Sequence, residues 1–234
     1  NIVQTITEVM NKFDRVIVLE DDLIIGPNFL NYMNNALSKY RDNNQVWHIN
    51  GYCYPQINNS KKSSFAHYIS PWGWGTWRAK WDLFINGEYF HQNLISQLSK
   101  EDINRFNIFG HYDWENILIK TKSGSVNSWA AFWYQAIFLN DGLSLFPNKS
   151  HTQNGGFDGT GEHCSDVNDW NTSLNKNKTT TFPNKLSTSK TFLFNSKLFF
   201  KIYNFKRYLR FHKDKFTSPK NFYNFLKNKL NSIS

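Results

Sequence analysis

Three consecutive carboxylates, Glu20-Asp21-Asp22, follow directly on the apolar run Val16-Ile17-Val18-Leu19. A short β-branched run of this kind is expected to form a strand buried on both faces. Three like charges at its end repel one another unless a cation compensates them. Hard carboxylate oxygens suit Mg²⁺ or Mn²⁺, ions that also take phosphate oxygens as ligands. The plainer alternative is a solvated acidic turn or a helix cap. The strand before the triplet and the turn Gly26-Pro27-Asn28 after it favour a site. Asp113 opens a predicted helix that ends near Gly124. A carboxylate at a helix N-terminus tends to stay ionised, which suits a general base as well as an N-cap.

The elements around these residues alternate. Residues 3–13 carry apolar side chains at helical spacing, residues 15–19 read as a strand, and the stretch from Asn28 reads as a capped helix. Gln45–Gly51 reads as a second strand, so a parallel α/β sheet is expected. Parallel strands of open α/β sheets bind ligands at the edge where they end. Further on, residues 78–84 and 88–109 look helical, and Gly142–Pro147 reads as a last strand. Residues 150–166 are polar and Gly-rich, as in a loop over a site, and 168–190 read as a linker.

Aromatic residues make up 18% of the 234 residues, with nine Trp and 21 Phe, which is high enough to raise sugar binding as well as a dense core. Charge is unevenly placed. Residues 190–234 hold eleven of the 27 Lys and Arg and one of the 18 acids, so the rest of the chain is near neutral. In this tail Phe192, Phe194, Leu198, Phe199, Ile202, Phe205, Leu209, Phe222, Phe225 and Leu226 alternate with Lys and Arg. That pattern suits a helix on an anionic membrane surface at least as well as nucleic-acid binding, and an amphipathic helix packed on the body is the plainer alternative. Cys53 and Cys164 are far apart and form no zinc or disulfide pattern, and a reducing compartment fits. No run of 18 apolar residues spans a membrane.

Three blocks in order resemble the GT-A glycosyltransferases, in particular the N-acetylglucosaminyltransferase I type and the bacterial sugar transferases of capsule and O-antigen clusters. They are Val16–Asp22 with Pro27-x-Phe29, the tryptophan block Trp72–Trp81, and Gly142–Pro147 running on to Gly155–Cys164. The resemblance covers roughly residues 1–165. It implies a GT-A-like, mostly parallel α/β sheet flanked by helices, with a catalytic part over 1–167 and a basic helical tail over 191–234. It also implies a metal-dependent transfer from a nucleotide-sugar donor to a glycan or lipid-linked acceptor in surface-polysaccharide synthesis, at the inner face of the membrane. Asp22 would bind Mn²⁺ or Mg²⁺, with Glu20 and Asp21 orienting the donor or the metal's waters. Asp113 would be the base of an inverting reaction, with Glu115 in reserve. A competing alignment places the base in Trp129–Trp133, where this chain has Ala130 and Ala131. His163 would act on the metal or diphosphate, with His151 its rival, and Trp72, Trp74 and Trp77 would shape a sugar pocket. The family's opening strand–helix–strand section, which holds the nucleotide base, has no counterpart before residue 1. Two other readings are a non-catalytic carbohydrate-binding domain and a nucleic-acid-binding domain.

Overall fold

A computed structural model describes residues 2–55, 62–89, 92–156 and 169–212. The helices are α1 (Ile2–Met10), α2 (Phe29–Lys39), α3 (Arg78–Asn86), α4 (Lys100–Phe106), α5 (Trp114–Lys122), α6 (Trp129–Leu139) and α7 (Lys190–Phe211). The strands are β1 (Arg15–Val18), β2 (Leu23–Ile25), β3 (Val46–Asn50), β4 (Ser64–Ala66), β5 (Trp74–Trp77), β6 (Leu143–Phe146) and β7 (Thr152–Asn154). The fold is α/β, built on a mixed five-stranded sheet in the order β1-β5-β3-β6-β4, with β2 and β7 forming a separate pair.

The expectation of a mostly parallel sheet is corrected here. Among the described strands of this sheet β3 and β6 pair in parallel, whereas β1 with β5, β3 with β5, and β4 with β6 are antiparallel. The cause is the tryptophan block, which enters the sheet as a reversed strand between β1 and β3. Val18 and Asn50 both face Trp74, so β1 and β3 still run the same way, and with β6 they end at one edge. β1 lies at the side of the sheet and is half-buried along its length, so it is not covered on both faces.

Alternation along β5 sorts its side chains between two layers. Gly75 and Trp77 face α2. An added Cβ at Gly75 would lie 2.9 Å from the Val16 carbonyl and 3.1 Å from Met33 Cε, and Trp77 Nε1 donates to the Leu37 carbonyl. On that side Phe29, Tyr32, Met33, Ala36 and Leu37 of α2 pack with Val46, Ile49, Leu143 and Leu145. These positions recur every three to four residues, which is why the helix forms there.

Trp74 points the other way, into a cluster with Trp81 of α3 and Trp133 of α6, with ring centroids 6.2 and 5.9 Å apart. α6 is apolar on all sides, and eight of its eleven residues are buried. A register shift between Val46 and His48 lets neighbouring Trp47 and His48 both meet Trp133.

Residues 169–190, within the interval expected to be a linker, are tied to the body instead. Lys62 pairs with Thr181, Phe65 pairs with Thr188, and the Tyr40 hydroxyl donates to the Pro183 carbonyl. Their Asn and Thr content signals irregular backbone, and here that backbone finds partners on the body.

The chain divides into two compact units, the first ending at Phe199 and the second beginning at Phe200. Within the first, Phe192 packs on Phe146 and Phe199 on Tyr54 and Trp170, so the start of the basic tail belongs to the core. In the second, Ile202, Phe205 and Phe211 are exposed. Among the described residues no helix is long and apolar enough to cross a membrane.

The contact at Gly75 yields a stability prediction. Gly75→Val drives a branched side chain into Val16, Met33 and Leu37, and is expected to cost about 1–3 kcal/mol. Urea unfolding monitored by tryptophan fluorescence measures it, and an unchanged midpoint would contradict the packing described.

Candidate functional site

The three sequence blocks meet at the edge where β1, β3 and β6 end. The Gly51 amide donates to the Gly73 carbonyl at 2.6 Å, joining the end of β3 to the start of the tryptophan block. An added Cβ on Gly51 would lie 2.6 Å from that same carbonyl, and one on Gly73 would lie 2.7 Å from Thr152 Cγ2, so both positions need glycine. Gly73 also has a φ of 71°, in the left-handed region. β7 closes the edge: Thr152 Oγ1 donates to the Trp72 carbonyl at 2.7 Å, and the His151 amide donates to the Gly51 carbonyl at 2.7 Å.

The acidic triplet lies in the turn between β1 and β2, and the β2–β7 pair brings Leu23 opposite Asn154. Asn154 Nδ2 donates to Asp22 Oδ2 at 2.9 Å, and the Gly155 amide donates to the Asp22 carbonyl at 2.7 Å. Asp22 is therefore held by residues 132 and 133 positions further along the chain. Glu20 is half-buried, and loss of water raises its pKa, with the charges of Asp22 and then Asp21 adding to the effect. No Lys or Arg forms an ion pair with any of the three among the described residues.

Carboxylate oxygens are hard donors of the kind a divalent cation takes; of the three, Glu20 is half-buried while Asp21 and Asp22 are exposed. Among the described residues no group of three or more His, Cys, Asp or Glu side chains converges as a preformed metal cage. The fit therefore rests on Asp22 with its two neighbours rather than on a closed ligand sphere. His163 lies outside the described residues, as does the Gly-rich loop from residue 157 to 168.

The other predicted residues separate into those near this edge and those used by the core. Trp72 is half-buried, edge-on to Tyr52 at 4.6 Å and to Trp170 at 5.8 Å. Trp74 and Trp77 are 0% and 5% exposed, which corrects their place in a sugar pocket: one fills the α3–α6 cluster and the other packs on α2. His151 is likewise enclosed. Its ring stacks on Tyr32 at 4.5 Å and its Nε2 meets Asn175 Nδ2, so its contribution at the edge comes from its backbone.

Asp113 is exposed and caps α5, accepting from the Asn116 amide at 3.3 Å. Its neighbour Tyr112 contacts Trp170, which contacts Trp72, so a short aromatic bridge links the start of α5 to the edge. Glu115 is engaged on Asn107, which donates to its carboxylate and accepts from its amide, fastening the end of α4 to α5. Ala130 and Ala131 are buried on α6 and offer no carboxylate.

Asn154, Thr152 and Asn50 are the positioning residues that sequence reading passes over. Asn50 ties two segments at this edge, accepting from the Ser70 amide and donating to the Leu145 carbonyl. Thr152-Gln153-Asn154 has no apolar alternation, and its only local signal is the Gly155-Gly156 pair that follows.

The sequence matches no protein-family model, and no curated protein matches it significantly.

Two enclosed histidines make stability depend on pH. Burial lowers His48 to about 3 and His151 to about 4, from an ordinary 6.5. Both stay neutral in the folded protein, whereas the unfolded chain takes up protons below pH 6.5. Stability is therefore fully present above 6.5 and is lost as pH falls from there towards 4, by a few kcal/mol. Urea unfolding at intervals between pH 7.5 and 4.5 tests this. His151→Asn should flatten the slope, whatever its effect at neutral pH.

Proposed function

We propose that the chain carries the metal and acceptor side of a GT-A-like glycosyltransferase. It would move a sugar from a nucleotide-sugar donor to a glycan or lipid-linked acceptor in surface-polysaccharide synthesis. The observation that carries this reading is the convergence of all three resembling blocks on one sheet edge, with Asn154 and Gly155 clasping Asp22. Ligands of α/β sheets bind at such edges.

In this reading Asp22 holds Mn²⁺ or Mg²⁺, assisted by Glu20 and Asp21, and a bound cation supplies charge neutralisation at the departing diphosphate. Trp72 offers a ring to the acceptor sugar. Asp113 accepts the proton of the acceptor hydroxyl as that oxygen bonds to the anomeric carbon and the bond from that carbon to the diphosphate oxygen breaks. The same resemblance gives His163 a role beside the metal. A carbohydrate-binding domain without catalysis is the second reading, favoured by the aromatic content alone.

The deciding experiment is a donor screen on the intact protein with Mn²⁺, monitored by release of nucleoside diphosphate. Asp22→Asn is expected to abolish release while leaving the unfolding midpoint nearly unchanged, and EDTA should act reversibly in the same way. Asp113→Asn should lower turnover by about 10²–10⁴ with donor affinity kept. Full turnover in chelator would remove the metal role. Glycan binding without release under any donor would support the second reading.

The second unit suggests where the enzyme works. Lys201, Lys206, Arg207 and Arg210 share a helix with exposed Ile202, Phe205 and Phe211, a composition suited to an anionic leaflet on the cytoplasmic side. Truncation after Phe200 keeps Phe192 and Phe199 in the core. It is expected to abolish sedimentation with anionic vesicles, while the intact protein pellets with them at low salt and is partly released at high salt. Equal pelleting of both forms would assign the binding to the body.

A further inference from the structure

Away from the acidic edge, a pocket of about 190 Å³ lies against β4, the strand at the opposite side of the sheet from β1. Its walls are mostly apolar: Phe65, Ile108, Phe109, Tyr134, Phe138 and Leu193. A cavity of about 150 Å³ with walls of this kind admits benzene, so this one has room for a ring or a short alkyl chain. It is partly open to solvent at one side, where Phe109 is 37% exposed.

Two features single it out from a packing defect. The first is backbone strain in its wall. Ile108, Phe109 and Gly110 take φ values of 49°, 57° and 75°, three successive residues in the left-handed region. A β-branched residue there is a genuine outlier. The turn is held by the Phe109 amide on the Asn104 carbonyl and the Tyr112 amide on the Asn107 carbonyl. Strain that the surrounding hydrogen bonds enforce is characteristic of ligand clamps. Here it sets Ile108 into the wall and Phe109 at the rim.

The second feature is charge at the rim. Arg105 lines the pocket but pairs with Asp102 at 2.9 Å, and His67 is engaged by the Gly142 carbonyl at 3.1 Å and lies 3.7 Å from Asp141. Lys197 differs. Its ammonium sits 3.4 Å from the centroid of the Phe109 ring and has no acidic partner among the described residues. Lys197 is not itself a lining residue; it reaches the pocket through the Phe109 ring on which it sits, and a cation placed there favours an anion on an apolar tail.

We propose that this pocket binds a small amphiphile: a single ring or short alkyl chain seated among Phe65, Phe138 and Leu193, with one anionic head on Lys197. The site is separate from the acidic edge, and the proposal does not depend on the transferase reading. Octanoate is a suitable probe, with octanol and octylammonium as neutral and cationic counterparts, titrated calorimetrically into the intact protein. Octanoate is expected to bind with a Kd below about 1 mM, and octylammonium at least tenfold more weakly. Leu193→Trp fills the pocket and should remove octanoate binding. Lys197→Gln, at a partly exposed position that leaves the core intact, should weaken octanoate about tenfold and leave octanol unchanged. Equal affinity for octanoate and octylammonium, or full octanoate affinity in Lys197→Gln, would overturn the anionic head. No binding of any probe by the intact protein would overturn the site.

Discussion

The amide of Gly51 and the carbonyl of Gly73 lie 2.6 Å apart, and neither residue could carry a side chain there without a collision. This close approach fixes where the tryptophan block enters the sheet, and most of the architecture follows from it. With Gly73 in place, Trp74 falls opposite both Val18 and Asn50, so β5 bridges the two strands on either side of it. Gly75 then brings the sheet down onto Met33 and Leu37, while Trp74 and Trp77 are committed to opposite layers. Thr152 completes the arrangement by bonding the Trp72 carbonyl and filling the space against both glycines. Residues near 51, 73 and 152 are thus one structural unit assembled from three parts of the chain.

The same unit determines what the acidic turn can be. Because β7 is anchored through Thr152 and the His151 backbone, Asn154 arrives beside Asp22 in a fixed position. The α2 helix that follows the turn is also a core helix, with Tyr32 stacked on the enclosed His151. The turn is therefore gripped on both sides by elements whose places the core has already set. Asp22 is thereby held by Asn154 and Gly155 on a backbone that the core fixes.

Much of this was legible in the sequence, and the failures have specific causes. β1, β3 and β6 stand out as apolar β-branched or aromatic runs, and α2 by its helical spacing. The sense of β5 was not legible. Trp72–Trp77 holds alternate glycines whose purpose appears only when the neighbouring backbones are placed against them. Repeated tryptophans suit sugar binding and, more often, a core, and Trp74 and Trp77 are buried in the core. Glu115 stands in reserve to Asp113 by the resemblance alone, and its bonds to Asn107 have no signal in the sequence. The tail's pattern leaves membrane surface and packing on the body both open, and Phe192 and Phe199 are buried in the body. Periodicity records that an apolar face exists, not which surface covers it.

What distinguishes the acidic edge from the rest of the molecule is that stability does not account for it. Trp133 and His48 satisfy one another in the core, and Lys80, the one half-desolvated lysine there, is bonded to the Asn44 carbonyl. Core polar groups with such partners need no function to explain them. Among the described residues Glu20, Asp21 and Asp22 have no cationic partner, and Glu20 has lost water in addition. A carboxylate raised by its neighbours' charge disfavours the arrangement it sits in, and replacing Asp21 or Asp22 by a neutral residue would relieve that repulsion. Asn154 holds Asp22 in place without neutralising it, so the repulsion within the triplet is a cost that the fold around it leaves standing.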